Sequence, residues 1–112
     1  MEEQEQEKKV EEATEDLGQE MKNGSIVYRI RGDKHPRNPG IAIAKGFYEG
    51  KNIEIHAIGE LANNQCVKAL AIAINWLAGR GTYVGVDIFF GDTEHNQKQT
   101  TATVMCYRLF RK

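Results

Sequence analysis

Positive and amide side chains crowd into two short stretches of this chain. The first, "RGDKHPRNPG" at residues 31–40, sets Lys34, His35 and Arg37 beside Asn38. A set of this kind binds anions, phosphate above all. Pro36 and Pro39 stiffen the loop and lower the entropy lost on holding a ligand. Asn38 suits a helix N-cap and Pro39 the first helical position. The unpaired N–H groups and the positive end of that helix would then face the same anion. The second stretch, "GELANNQCVK", carries Asn64, Gln65 and Lys68, with Asn63 before them. Amide side chains of this kind reach phosphates or base edges. Both stretches also have a plain structural reading. The first can be a solvated, capped turn, and the second ordinary capping by Glu60 and the asparagine pair.

Other chemistry is not prompted by the residues. The sequence has no phosphate-binding P-loop, no G-x-S-x-G, no H-E-x-x-H and no G-x-G-x-x-G after a strand. Asp87 and Asp92 stand too far from other candidates to work as an acid–base pair. No enzyme is expected, and no cofactor. Cys66 and Cys106 sit among apolar neighbours and read as buried free thiols. His35, His56 and His95 are scattered, and no C-x-x-C occurs, so no metal site is expected. His56 reads as a strand histidine facing solvent or the helix layer. The tripeptide "RGD" at 31–33 would need an extracellular protein to act in adhesion, and the chain shows no export signal.

The elements that must position the two stretches follow from periodicity. "SIVYRIR" alternates, with Ile26, Tyr28 and Ile30 on one face, and predicts a half-buried strand. "PGIAIAKGFYEG" predicts a helix with Ile41, Ala44, Phe47 and Tyr48 on one side. "NIEIHAIG" is a second alternating strand. "LANNQCVKALAIAINWLAGRG" is the strongest helical pattern, with Val67, Leu70, Ile74 and Leu77 at three- and four-residue spacing. "TYVGVDIFF" and "QTTATVMCYRLF" are strands joined through a polar tip, "GDTEHNQK". The order β-α-β-α-β-β predicts an α+β two-layer domain, a mixed four-stranded sheet with two helices on one face. Both helix starts then follow parallel strands and meet near one sheet edge.

A length of 112 residues suits one domain, and 40% hydrophobic content suits a modest core. No apolar run is long enough to span a membrane. The N-terminus has no apolar signal core, so a cytoplasmic location is expected, or a nuclear one in a eukaryote. The net charge of −1 conceals a division. Residues 1–24 hold nine acidic and three basic side chains, and residues 25–112 hold seven and twelve. The sequence thus reads as an acidic disordered tail over 1–24 attached to a basic domain over 25–112. Such a tail can fold back on the basic face as an internal competitor.

At "HAIGELANNQCVKALAIAINWLA" the chain resembles the stage V sporulation protein S (SpoVS) family of the Alba-like superfamily. The resemblance rests on "IG" at 58–59, "NQ" at 64–65, "VKA" at 67–69, "AIA" at 71–73 and "GVDI" at 85–88. More loosely, "GDKHPRN" is similar to the basic first loop of Alba proteins. The resemblance implies the same β-α-β-α-β-β fold, a homodimer or larger oligomer, and binding of RNA or DNA. Carried over, it implies that Lys34 and His35 belong to the basic loop, Asn38 to its asparagine, and Asn64, Gln65 and Lys68 to the second-helix motif. Arg37 joins them on charge alone. Two positions depart from the Alba pattern: Glu60 stands where arginine is usual, and the hairpin tip is less basic. The expectation is a non-enzymatic nucleic-acid-binding protein with little sequence specificity. The alternative is a homo-oligomeric assembly module without direct nucleic-acid binding, which Glu60 and the neutral hairpin suit better.

Overall fold

The computed structural model describes residues 18–20, 24–91, 94–95 and 101–112, the short segments 18–20, 94–95 and 101–102 by their backbone. The main strands are β2 (Ile26–Ile30), β3 (Ile53–Ile58), β4 (Val84–Phe90) and β7 (Val104–Arg111), and the helices are α1 (Arg37–Tyr48) and α2 (Glu60–Ala78). They form the expected mixed four-stranded sheet, in the order β2-β3-β7-β4, with the two helices on one face. β2 and β3 are parallel, and β7 runs antiparallel between β3 and β4. A three-residue strand, β1 (Gly18–Glu20), pairs antiparallel with the outer edge of β2. The sheet therefore takes residues from the segment read as tail, and the boundary drawn at residue 25 falls after its first strand. Residues 1–17 and 21–23 of that segment lie outside the described residues.

The polar connection between β4 and β7 carries its own short ladder. β5 (Glu94–His95) pairs antiparallel with β6 (Thr101–Ala102), and Thr103 interrupts the strand expected to run through to residue 110. Residues 92–93 and 96–100 of the tip lie outside the described residues.

The core follows the period-two pattern of the strands. Ile26, Tyr28 and Ile30 of β2 and Ile53, Ile55 and Ala57 of β3 point under the helices and are buried. Tyr107 and Leu109 of β7 and Val84 of β4 continue this layer. Each large aliphatic side chain buried this way contributes about 1.5–3 kcal/mol. Burial also pushes the Cys66 thiol up to about 12, which keeps it protonated and unreactive.

The buried stripe of α2 consists mostly of small residues: Ala62, Cys66, Ala69, Leu70, Ala73 and Leu77. Small residues are needed because α1 packs very close. A Cβ on Gly40 would lie 2.8 Å from the Ala69 carbonyl oxygen. Val67 and Ile74, expected on the buried face with Leu70 and Leu77, are instead 55% and 36% exposed. At the far end the helices are clamped by aromatic contacts. The Arg80 guanidinium lies 3.4 Å from the Trp76 ring centroid, and Tyr48 meets Trp76 edge-on at 5.9 Å.

Candidate nucleic-acid interface

α1 starts earlier than the sequence suggests. Pro36, not Asn38, is its N-cap, with φ −76° and ψ −10° already in the helical region. The Gly40 N–H donates to the Pro36 carbonyl at 2.9 Å, closing the first turn. His35 supplies the side-chain acceptor that Asn38 was expected to provide: its Nδ1 accepts the Arg37 N–H at 3.2 Å. Asn38 lies exposed inside the first turn, and Pro39 follows it where its missing N–H costs nothing. Lys34, His35 and Arg37 are exposed as well.

The strand ends that lead into the two helices lie at one edge of the sheet, but the helix starts are offset: Gly40 in the first turn of α1 packs against Ala69 and Ile72, well along α2. The carboxyl ends of parallel β2 and β3 lie side by side, with Ile30 opposite Ala57. The turn after β2 then presses on the start of α2: a Cβ on Gly32 would lie 2.6 Å from Leu61 Cβ and 3.1 Å from the Ala62 nitrogen. Only glycine allows that approach. Between these segments opens a groove of about 740 Å³. Arg29, Arg31 and Asp33 line one side, and Glu60 to Ala62 at the head of α2 line another. His56, Ile58 and Val104 complete it from the sheet. Its place outside the carboxyl ends of parallel strands is where open α/β sheets bind ligands.

The electrostatics of the groove are mixed. Arg31 pairs with Asp33 through Nε at 3.2 Å, but both side chains are well exposed, so the pair is weak and readily exchanged for a ligand. α2 brings the positive end of its dipole to the groove, partly offset by Glu60 in its first turn. Exposed apolar surface lies among the charges, with Leu61 at 73% and Ile58 at 42%.

A hydrogen-bonded chain fixes the head of α2. Asn63 Nδ2 donates to the Gly59 carbonyl at 2.8 Å, and Tyr107 Oη donates to Asn63 Oδ1 at 2.7 Å. Asn63 is thus a structural link between α2 and β7.

None of Lys34, His35, Arg37, Asn38, Asn64, Gln65 and Lys68 lines the groove itself. Lys34 and His35 stand on the turn that leads out of it, and Arg37 and Asn38 in the first turn of α1. Asn64 and Lys68 are exposed along α2, and Gln65 is half-buried. Gln65 Oε1 is buried with no hydrogen-bond partner among the described residues. Arg29 and Arg31 were within reach of sequence reasoning, since alternation puts both on one face of β2. Leu61 and Ile58 carried no chemical signal and were not expected.

On the sheet face away from the helices, Glu54, His56 and Arg108 form a second polar group. His56 Nε2 lies 2.6 Å from Glu54 Oε2, and the Arg108 guanidinium donates to Glu54 Oε1 at 2.8 Å. Burial pushes the Glu54 carboxyl up, but the hydrogen bonds from His56 and Arg108 outweigh it and hold the group below its ordinary value. Among the described residues, no helix is long and apolar enough to cross a membrane.

A search of the curated proteins finds no match for this chain. The family model of stage V sporulation protein S (SpoVS) matches residues 27–110, from the second residue of β2 almost to the end of β7, and so includes both helices and the groove. The chain belongs to the stage V sporulation protein S family, whose Alba-like fold is the one seen here.

Proposed function

We propose that the chain binds the phosphate backbone of RNA or DNA, with little sequence preference and without catalysis. The observation that carries this reading is the groove at the head of α2, flanked by Arg29 and Arg31 and followed along the chain by Lys34 on the turn and Arg37 at the start of α1. Arginine forks suit phosphate, and backbone N–H groups at a helix start add direction. Ile58 and Leu61 offer apolar surface to a sugar or an unstacked base. The cations are few, so binding is expected to be modest and strongly salt-dependent.

Fluorescence anisotropy with labelled single-stranded RNA, duplex RNA and duplex DNA tests this over a salt series. Contact with about four phosphates gives a log–log slope of about −3 to −4 on duplex DNA. Replacing Arg29 and Arg31 together by alanine lowers that slope by about 2. Replacing Lys34 and Arg37 by alanine has a comparable effect. Absence of binding by the intact chain at low salt would defeat the reading.

A specific observation also favours self-assembly. Ile88 and Phe90 continue the alternation of Val84 and Val86 on the helix side of β4, yet they are 61% and 76% exposed. Val67 and Ile74 are exposed on α2. We propose that this flank joins two copies of the chain. Sedimentation should show a dimer, and Phe90→Asp should shift it to monomer with the fold intact by circular dichroism. A monomeric parent would remove this proposal and leave the groove to act alone.

A further inference from the structure

The face of the sheet opposite the helices brings together three metal-ligating side chains that lie far apart in sequence. Glu54 and His56 are two residues apart on β3 and so point to the same side. Cys106 on β7 is the direct cross-strand partner of His56. One ligand atom from each of the three lies within 4.8 Å of the others. We propose that Glu54, His56 and Cys106 form a site for a zinc-class transition-metal ion.

The donor chemistry selects the ion. A thiolate, an imidazole and a carboxylate together suit borderline-soft ions such as Zn²⁺ or Co²⁺ and not Mg²⁺ or Ca²⁺. Bond lengths of about 2.3 Å to sulfur and about 2.0–2.2 Å to nitrogen and oxygen place tetrahedral donors roughly 3.3–3.6 Å apart. The widest separation, up to 4.8 Å, exceeds that spacing by about an ångström, and His56 Nε2 and Glu54 Oε2 at 2.6 Å lie inside it, adjustments within the reach of side-chain rotation. Arg108 holds the other oxygen of Glu54, leaving Oε2 turned toward the site, as an outer-shell partner orients a ligand.

The surroundings fit a closed pocket wall with one open side. Cys106 is 3% exposed, and Gly91 lies over it so closely that a Cβ there would be 2.6 Å from Sγ. Glu54 and His56 side chains are each 22% exposed and offer the way in. Binding displaces the proton of the Cys106 thiol to solvent, and His56 ligates as the neutral imidazole through the nitrogen that carries no hydrogen, its one N–H standing on the other ring nitrogen. The metal then holds three protein ligands and an open position for water or an exogenous ligand. His56 also lines the groove, so that position faces the groove's edge.

Co²⁺ titration of the full chain under reducing conditions tests the site directly. One equivalent should give thiolate-to-cobalt charge-transfer absorption together with the intense visible bands of tetrahedral cobalt, and Zn²⁺ should abolish both by competition. Cys106→Ser should lose the charge-transfer band, and Cys66→Ser should keep it. His56→Asn and Glu54→Gln, each checked for folding by circular dichroism, should weaken Co²⁺ binding by more than about 100-fold, the upper range for loss of an outer-shell partner. Absence of a charge-transfer band in the parent, or its persistence in Cys106→Ser, overturns the proposal. So does an unchanged affinity in the two folded variants. The test is independent of nucleic-acid binding.

Discussion

A Gly40→Val chain should lose about 3 kcal/mol of stability and melt roughly 12–24 °C below the parent. The cause is the closeness of the two helices. A Cβ at this position would lie 2.8 Å from the Ala69 carbonyl oxygen and 2.9 Å from Ile72 Cβ. The first neighbour is backbone and cannot rotate away, so the helices must separate and unpack the small-residue stripe beneath α2. The better helix propensity of valine offsets only a few tenths of a kcal/mol. Gly46 is the internal control. A Cβ there meets the tip of Ile53 at 3.1 Å and the Tyr28 hydroxyl at 3.4 Å, both on side chains. Gly46→Ala should therefore be nearly neutral, helped by up to about 1 kcal/mol of helix propensity. Urea unfolding of the three chains checks the pair, with the midpoint shifting and the slope constant. An unchanged midpoint for Gly40→Val would mean that the helices do not cross so closely.

The same crossing explains where sequence periodicity went astray. Val67, Leu70, Ile74 and Leu77 share a helical repeat, and volume alone argues for burying all four. The structure buries Ala62, Cys66, Ala69 and Ala73 in place of Val67 and Ile74. Contact with a glycine-bearing helix favours small side chains, and the partner surface of a helix cannot be read from its own sequence. Strands were more legible. Their period of two assigns faces without reference to any partner, and Ile53, Ile55 and Ala57 all point inward as the alternation demands. β1 was not legible, because three residues within an acidic segment carry no pattern and exist as a strand only through pairing with β2.

The site divides in the same way. That the strands leading into the two helices end at one sheet edge follows from βαβ order, yet it is the turn after β2, at Gly32, that reaches Leu61 and Ala62, and the first turn of α1 lies further along α2 at Ala69 and Ile72. Which side chains face the groove does not follow from order. His35 has the residue type of a ligand contact, yet its Nδ1 caps α1. Gln65 has the same kind of signal, and its oxygen is turned inward. Cys106 and His56 looked scattered because their meeting depends on the register of β3 against β7. Strand register is a property of two segments, and no spacing within either one encodes it.

Gly59→Ala should weaken both the fold and the proposed nucleic-acid binding without removing a charge. Gly59 has φ 86° and ψ 165°, a backbone region essentially closed to residues with a side chain. Nothing lies within 4 Å of an added Cβ, so the penalty is local strain of about 1–3 kcal/mol and not a clash. This one residue turns the chain from β3 into α2. Its carbonyl accepts the Asn63 N–H at 3.0 Å and Asn63 Nδ2 at 2.8 Å. Relief of the strain rotates that carbonyl away, frees Asn63 from Gly59 and Tyr107, and shifts the first turn of α2, which is a wall of the groove. At a temperature where the variant remains folded, the proposed binding to single-stranded RNA should weaken at least about tenfold, the equivalent of about 1.4 kcal/mol. Gly50 separates strain from site. It too has a positive φ, 89°, with nothing within 4 Å of an added Cβ, but it follows the far end of α1. Gly50→Ala should therefore destabilise the chain by an amount of the same order and leave RNA affinity unchanged. Equal loss of affinity in both variants would assign the effect to general destabilisation and detach the head of α2 from binding.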